Sequence, residues 1–339
     1  MKFFKHAAVL ILSFLFCFSA FADKLKVGFV YIGPVGDHGW TYMHDQGRQA
    51  VEKAYGDKVE VTYMESVKYG PDAERAIRGL ANEGMDIIFA TSFGYMEPML
   101  KVAKEFPNIK FEHATGYKTN DNMSVYSGMF YQGRYVQGVI AGHMSKNGKA
   151  GYIASFPIPE VVRGINAFYL GATSVNPDFD IDVIWVNSWY DPVKEGNAAK
   201  VLISEGADII TQHTDSPAAL QVAEKQGVFA FGQASNMYQF APKAQLTAIL
   251  DDWAPYYIER VGQVMNGTWK KSDTWGDMKS GMVKMAPYTN MPDNIALIAK
   301  DIEKKVMNGN IDPFNGKYSV GELLGMNKYV KGIDASLPK

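Results

Sequence analysis

Residues 23–40, DKLKVGFVYIGPVGDHGW, contain the pattern that decides the fold. Residues 26–32 are predominantly apolar on both alternating faces, which is typical of a strand buried in a parallel sheet. Three glycines follow in a turn, and the next residues have the spacing of an amphipathic helix. A strand, a glycine-rich turn and a helix in this order predict the first unit of an α/β domain.

The same alternation continues along the chain. Between the apolar segments, apolar residues recur at helical spacing, as at Ala73, Ala76, Ile77 and Leu80. The pattern predicts strands at residues 26–32, 59–63, 86–90, 110–114, 150–155, 181–186, 208–212, 228–231 and 246–250. Strands that alternate with helices in this way predict parallel sheets covered by helices on both faces.

Two segments of the chain repeat each other. Residues 83–105 and 205–225 both read E-G-x-D-I-I, followed by a short loop with a proline and a helix containing L-x-V-A. This repeat predicts two structurally similar lobes. Each copy ends its strand in a polar or glycine loop, at residues 91–94 and 213–216. Ligands bind beyond the carboxyl ends of such strands, so we expect a cleft between the lobes.

Residues 1–22, MKFFKHAAVLILSFLFCFSAFA, have the form of a signal peptide. Two lysines precede an uncharged apolar run, which is short for a membrane span of ~20 residues, and an A-x-A cleavage site follows at residues 20–22. Cys17, the single cysteine, would be removed with this segment, and Phe16 stands where lipidation needs a small residue. Export without disulfides predicts a protein of the bacterial periplasm.

Length and charge narrow the function classes. The chain has 34 basic and 36 acidic residues, and removing Lys2 and Lys5 with the signal leaves a net charge near −4. This charge favours neither nucleic acid nor an anionic membrane as a partner. A chain of 339 residues predicts two domains.

The chain lacks the common catalytic motifs. G-x-S-x-G, H-E-x-x-H and G-x-x-x-x-G-K-[ST] are all absent. His38 and His44 are not at zinc-ligand spacing, and His113 and His213 end strands in different lobes. His213 with Asp215 could be a site pair or a strand-end histidine bonded to its own loop. We therefore expect no metal, no cofactor and no catalysis.

The glycine turn resembles a nucleotide-binding turn only weakly. Its spacing is G-x-x-G-x-x-G rather than G-x-G-x-x-G, and Pro34 removes one backbone donor. Glu65 ends the second strand, where a dinucleotide fold carries its ribose-binding acid. The glycines are better explained as residues of a tight turn, which leaves Asp37 and Trp40 as the candidate ligand contacts of this segment.

A second tryptophan follows a strand in the other half of the chain. Trp189 comes after the strand at residues 181–186 and before a helix that begins near Pro192. For either tryptophan alone, ordinary packing explains it as well as a ligand does. Trp40 and Trp189 together could hold a planar ring between them.

Five segments resemble the basic membrane protein family of bacterial substrate-binding proteins, of the purine-nucleoside-receptor type that serves ABC importers. The resemblance covers nearly the whole chain after the signal. It is carried by KVGFVYIGPVGDHGWTYMHDQG at 26–47, YQGRYVQGVIAG at 131–142, YIASFPIPEVVRGINAFYLGA at 152–172, VNSWYDPVKEGNAAKVLISEGADIITQHTDSPAALQVAEKQGVFAFG at 186–232, and SGMVKMAPY at 280–288.

The resemblance implies a type I periplasmic-binding fold, in which two Rossmann-like lobes with parallel sheets are joined by hinge crossings. It places lobe 1 at residues 23–130 and 245–279, and lobe 2 at residues 131–244 and 280–339. Aromatic residues of the two lobes would stack on a purine. Trp40 replaces the usual phenylalanine of the first motif, Asp37 matches its acid, and Trp189 matches the aromatic residue before Asp-Pro.

Two departures from the family pattern affect the expected ligand. Residues 233–237 lack the aspartate, and residues 251–253 lack the lysine, that the resemblance implies would hold a ribose. Loss of these charge-assisted contacts places a free purine base slightly ahead of a nucleoside. The predicted ligand-binding residues are Asp37, Trp40, Phe93, Gly94, Trp189, Thr214, Asp215, Asn236 and Asp252.

The resemblance also implies the partners. We expect a monomer that captures its ligand by closure of the lobes and presents it to an ABC permease in the inner membrane. The alternatives are a binding protein for another planar or cyclic solute, a periplasmic nucleoside-processing enzyme, and a chemoreceptor ligand carrier without a transport role.

Overall fold

A computed structural model describes residues 23–338, so the predicted signal peptide at residues 1–22 lies outside the described residues. Within the described part, no helix is both long and apolar enough to cross a membrane. The strands are β1 (Leu25–Val30), β2 (Val59–Met64), β3 (Ile87–Ala90), β4 (Lys110–Ala114), β5 (Met123–Gly128), β6 (Lys149–Ala154), β7 (Asp180–Trp185), β8 (Ile209–His213), β9 (Phe229–Gly232), β10 (Gln245–Asp251), β11 (Asp273–Gly276) and β12 (Val283–Met285).

Helices connect most of these strands. They are α1 (Gly39–Tyr55), α2 (Pro71–Asn82), α3 (Met96–Glu105), α4 (Tyr131–Met144), α5 (Pro159–Thr173), α6 (Pro192–Ser204), α7 (Ala218–Gln226), α8 (Ala254–Met265), α9 (Asp293–Met307) and α10 (Val320–Leu324). Four of them have proline in the first turn, where its missing N–H costs nothing.

The strands form two six-stranded sheets of the same design. The first has the order β11-β5-β4-β3-β1-β2 and the second the order β12-β10-β9-β8-β6-β7. All pairings are parallel except β10 with β12, which is antiparallel. The repeated segments contribute β3 and β8, which occupy the same position in their sheets. The prediction of two similar α/β lobes is therefore confirmed.

Nine of the strands lie within two residues of the predicted ranges. The pattern missed β5, β11 and β12 for a physical reason. The sequence of β5, MSVYSG, interrupts its apolar residues with serine and glycine, and β11 and β12 have only four and three residues. Such short strands carry too few side chains for a recognisable alternation.

Helices cover both faces of each sheet. In the first sheet, Val27 and Phe29 face the helices α1 and α8, whereas Val30 and Ile88 face α2 and α3. This alternation of buried side chains on both faces explains why β1 is apolar throughout its centre. In the second sheet, α6 and α7 pack together on one face and α4, α5 and α9 on the other.

The chain passes between the lobes three times within the described residues. The crossings lie between β5 and α4, between β10 and α8, and between β11 and β12. One expected boundary needs correction, because residues 245–251 were assigned to lobe 1. They form β10, which pairs with β9 and β12 in the second sheet, so the return to lobe 1 begins after Asp251. The other lobe boundaries remain predictions.

A buried ion pair attaches α8 to the first sheet. Glu112 on β4 is completely buried, and its Oε1 lies 2.7 Å from the Arg260 guanidinium on α8. Tyr256 donates to its Oε2 at 2.7 Å, and the Trp269 indole donates to its Oε1 at 2.6 Å. Every charge here has partners, which is the condition for tolerating a buried ion pair.

Candidate functional site

A central cavity lies between the carboxyl ends of the strands of the two sheets. About 440 Å³ of space lies between its lining atoms, part of it open to solvent. Lobe 1 contributes Ile32, Trp40, Ser92, Phe93 and Thr115, and lobe 2 contributes Ile158, Glu160, Trp189, His213, Asp215 and Gln233. The site therefore depends on both lobes.

Trp40 lies in the first turn of α1 and has a fixed orientation. Its indole Nε1 donates to the carbonyl oxygen of Thr91 at 2.6 Å. Its ring packs edge-on against His44, with centroids 4.6 Å apart, and against Trp253, with centroids 5.4 Å apart. These contacts hold the half-buried indole in place at the cavity wall.

Trp189 reaches the same cavity from lobe 2. It lies in the turn between β7 and α6, and its ring centroid is 5.3 Å from that of Phe156 and 6.2 Å from that of His213. The two tryptophans follow strands at different positions of their sheets. Trp189 follows β7, which corresponds to β2, whereas Trp40 follows β1. They meet at one cavity because the two lobes face each other.

The start of α1 bonds directly to lobe 2. The amide of Gly39 donates to Ser235 Oγ at 2.8 Å, and the amide of Trp40 donates to Asp215 Oδ1 at 3.1 Å. His38, which precedes α1, makes no capping hydrogen bond, so the opposite lobe supplies the partners that helix N-termini require. The lobes are thus in the closed arrangement.

The structure explains why a glycine stands at position 39 of the opening turn. Its φ is +80°, in the left-handed region, and a Cβ atom there would lie 3.1 Å from the carbonyl oxygen of Asp215. Glycine is needed both for the backbone angle and for the close approach of the lobes. Glu65 Oε2 accepts from the amide of Val35 at 2.8 Å, so this acid holds the turn itself.

Glu195 on α6 holds two loops of the lobe 2 wall together. Its carboxylate accepts from the amide of Asp191 at 2.8 Å and from the amide of Ser216 at 3.0 Å. The amide of Asp215 donates in turn to the carbonyl oxygen of Trp189 at 2.9 Å. Trp189 and Asp215 are therefore positioned as one unit.

Burial changes the charge of several groups in the cleft. Loss of water raises the pKa of Asp215 to about 7, although the amide of Trp40 opposes the shift. Burial also lowers the pKa of His213, whose Nε2 lies 3.5 Å from Glu160 Oε1, so its imidazole stays neutral. The cavity therefore presents acceptors and neutral groups rather than positive charge.

We expect ligand binding to weaken as the pH rises from about 5 to 7. In the closed form, burial raises the pKa of Asp215 from the ordinary 3.8 to about 7. Opening of the lobes lets water reach the carboxyl group and returns its pKa towards 3.8, so closure takes up a proton. The resulting contribution of Asp215 to the affinity is fully present below its ordinary pKa of 3.8 and is lost as the pH rises through about 7. One such proton changes the affinity by at most roughly 50-fold over this range. Calorimetric titration from pH 5 to 8 measures it.

The control for this pH dependence is Asp215→Asn, which should flatten the profile. An unchanged profile in the variant would show that other groups carry the dependence. Asp251 is the alternative source, because burial raises its pKa as well.

The structure brings four of the predicted residues to the cavity and places the rest elsewhere. Trp40, Phe93, Trp189 and Asp215 line it. Thr214 is buried but does not line the cavity. Gly94 packs under an aromatic ring, because a Cβ atom there would lie 2.5 Å from the ring of Tyr69.

Asp37, Asn236 and Asp252 line a separate groove between the lobes. Asp252 Oδ2 forms an ion pair with Lys284 Nζ at 2.6 Å, and Asn236 Oδ1 accepts from the amide of Tyr238 at 3.1 Å. Asp37 is exposed and bonds to His38. None of these three side chains lines the central cavity. Each instead contacts a neighbouring residue of a local turn or a surface charge.

Sequence reasoning missed several lining residues. The position of Glu160 could have indicated a lining residue, because it follows a predicted strand and lies in the first turn of a helix, as Trp40 does. Gln233 lies in residues 233–237, a segment whose only signal is the missing aspartate. For His213 the available signal is its place at the end of a predicted strand, two residues before Asp215. The remaining missed residues are Ile32, Ser92, Thr115 and Ile158.

Within residues 23–338, no group of three or more His, Asp or Glu side chains is arranged to hold a metal ion.

The chain resembles known proteins over nearly its whole length. A family model described as ABC transporter substrate-binding protein PnrA-like matches residues 24–313. The purine-binding protein of Brucella abortus is 59% identical over 332 residues, which cover 94% of this chain and 95% of the relative. A putative ABC transporter glucose-binding protein of Haloferax volcanii is 38% identical over 322 residues, which cover 93% and 82% of the two chains.

Solved structures share the fold. A solute-binding protein of an ABC transporter system from Aeropyrum pernix K1 gives a TM-score of 0.73 at 17% identity, covering 88% of this chain and 97% of that chain. One from Conexibacter woesei gives 0.68 at 22% identity, covering 85% and 98%. The match of the family model over most of the chain is more specific than the shared fold. The chain belongs to the PnrA-like family of ABC transporter substrate-binding proteins.

Proposed function

We propose that this protein captures a purine in the central cavity and delivers it to an ABC permease. The observation that carries the proposal is the pair of indoles, Trp40 and Trp189, which approach one cavity from opposite lobes. Flat aromatic rings stack well on indoles. The printed function of the Brucella abortus relative, purine binding, supports the same ligand class at 59% identity.

Within this class we favour the free base over the nucleoside. Asp37, Asn236 and Asp252, three predicted polar contacts, lie outside the cavity. The signal-like sequence of residues 1–22 supports action in the periplasm. We further propose that the protein acts as a monomer, does not bind nucleic acid and changes no bond in its ligand.

Fluorescence titration of the protein without residues 1–22 tests the proposal. The ligands are adenine, guanine, hypoxanthine, adenosine, guanosine and glucose. Stacking should change the emission of Trp40 and Trp189, so we expect saturable changes with the bases, weaker ones with the nucleosides and none with glucose. A response to glucose alone would overturn the purine proposal in favour of a cyclic solute. Chemical conversion of a bound nucleoside over hours would contradict the absence of catalysis.

A further inference from the structure

A second pocket, called the side pocket below, lies next to the central cavity. It shares four lining residues with that cavity, namely Phe93, Thr115, Ile158 and Glu160. Its other lining residues are Gly116, Tyr117, Ser127, Pro159, Arg163, Asp273, Leu324 and Gly325. Residues of both lobes line each of the two spaces, so both lie along the seam between the lobes. Opening of the lobes therefore joins them into one cleft.

The C-terminal segment builds one wall of the side pocket. Leu324 ends α10, and Gly325 follows it. The family model matches residues 24–313, so this wall lies beyond the part of the chain that the family description covers. Arg163 on α5 donates to the carbonyl oxygen of Leu323 at 2.5 Å, and the buried side chain of Leu323 packs in a cluster with residues of α5. These contacts fix α10 on lobe 2.

Most side chains that line the side pocket beyond the central cavity are apolar or aromatic. Phe93 and Tyr117 contribute rings from lobe 1, and Ile158, Pro159 and Leu324 contribute apolar surface from lobe 2. Water gains little from contact with such surface, and covering it favours binding. The side pocket therefore suits an apolar group better than a polar one.

The three charged side chains of the side pocket already have partners or water. Glu160 Oε1 lies 3.5 Å from Nε2 of His213. The Arg163 guanidinium lies over the ring of Trp275, 4.9 Å from its centroid, in addition to its bond with α10. Asp273 is exposed, so water solvates its carboxylate. None of these groups needs a charged ligand to compensate it.

The side pocket stays open at its outer end while the lobes are closed. Tyr117 is 67% exposed and Leu324 is 46% exposed, whereas Arg163 is 3% exposed. The exposed residues mark a rim that faces solvent, and the buried ones mark the inner end. A ligand held between Trp40 and Trp189 therefore need not end inside the central cavity when the lobes close.

We infer that the side pocket binds an apolar substituent of the captured purine, so that the protein takes substituted purines carrying a group such as benzyl or a branched alkyl chain. Leu324 is then a specificity-determining residue. This inference rests on the proposed function. It adds to it the class of substituent that the site accepts and the part of the chain that selects it.

The test compares adenine with N6-benzyladenine and 9-benzyladenine by calorimetry on the protein without residues 1–22. The two isomers carry the same apolar group at opposite ends of the purine, so the pair probes both orientations of the ring. We expect one isomer to bind about tenfold more tightly than adenine or better, because its benzyl group leaves water.

Two variants of Leu324 then locate the benzyl group. Leu324→Trp narrows the side pocket, and Leu324→Asp puts a charge on its apolar wall. Each should weaken binding of the favoured isomer by about tenfold and leave adenine binding within about threefold. Val320→Trp is the matched control, because Val320 is exposed on the same helix outside the pocket, and it should change neither affinity. Thermal melting checks that each variant is folded.

Three results would overturn the inference while leaving purine binding intact. Neither benzyladenine may bind more tightly than adenine. The favoured isomer may bind both Leu324 variants as well as the unaltered protein, which would place the benzyl group at another opening of the cleft. A preference for N6-(2-aminoethyl)adenine over both benzyladenines would assign the pocket to a cationic substituent near Glu160 and Asp273. Failure of the unaltered protein to bind any purine would instead overturn the proposed function.

Discussion

Replacing Trp189 with alanine is expected to weaken purine binding by roughly 30- to 700-fold. Stacking on an aromatic side chain is worth about 1–3 kcal/mol per base, and truncating a buried tryptophan at a binding site costs about 2–4 kcal/mol. At 1.4 kcal/mol per factor of ten, a cost of about 2–4 kcal/mol corresponds to a loss of affinity of roughly 30- to 700-fold. Trp189 lies in a loop, and its half-buried ring packs beside Phe156 and His213 at the edge of the core, so the variant should stay folded.

Two further variants make this result specific. Trp189→Phe keeps an aromatic face and should bind purines within about fivefold of the original protein. Tyr238→Ala removes an exposed aromatic residue of lobe 2 that lies in the separate groove rather than beside the two tryptophans, and it should change the affinity less than threefold. Equal binding by Trp189→Ala and the unaltered protein would show that the ligand does not stack there. Trp40 is less suitable, because it also bonds to Thr91 and packs on Trp253.

Replacing Glu112 with alanine is expected to lower the free energy of unfolding by about 3–5 kcal/mol. The change leaves the Arg260 charge buried without its carboxylate, and removal of one partner from a buried pair costs about this much. Tyr256 and Trp269 also lose the acceptor for their hydrogen bonds. Urea unfolding, followed by circular dichroism, measures the change.

The double variant Glu112→Leu with Arg260→Met separates the two explanations for such a loss. Since it removes both charges together, it should be much less destabilised than Glu112→Ala. Asp301→Ala breaks an exposed ion pair with Lys305 and should have little effect, because water already solvates both groups. A Glu112→Ala protein as stable as the original would show that the buried pair contributes nothing.

The fold was largely predictable from the sequence because the patterns that indicate it extend over whole strands and helices. Buried strands between amphipathic helices produce long apolar patterns, and the repeat at residues 83–105 and 205–225 reflects two strands that occupy the same place in their sheets. The sheet edge that borders the cavity was predictable from strand polarity. Trp40 and Trp189 follow from it, since Trp40 begins the helix after β1 and Trp189 lies in the turn after β7.

The polar residues of the site were harder to predict from the sequence because their contacts depend on the direction in which individual side chains point. Asp251 and Asp252 are adjacent and chemically identical, yet one is buried and the other pairs with Lys284. The direction is set by the pairing of β10 with β12, and β12 is too short to be recognised in advance. Asn236 lies outside the cavity, and its Oδ1 accepts hydrogen bonds from the amide of Tyr238 and from Gln245 Nε2.

The hydrogen bonds from the start of α1 to lobe 2 give this protein a built-in measure of how often it opens. The amides of Gly39 and Trp40 are protected by Ser235 and Asp215 rather than by their own lobe. Deuterium can replace these two protons whenever the lobes separate, whereas the interior amides of α1 need the helix itself to unwind. Their exchange rates therefore record the opening frequency of the cleft, residue by residue, and a captured ligand would slow both by the same factor.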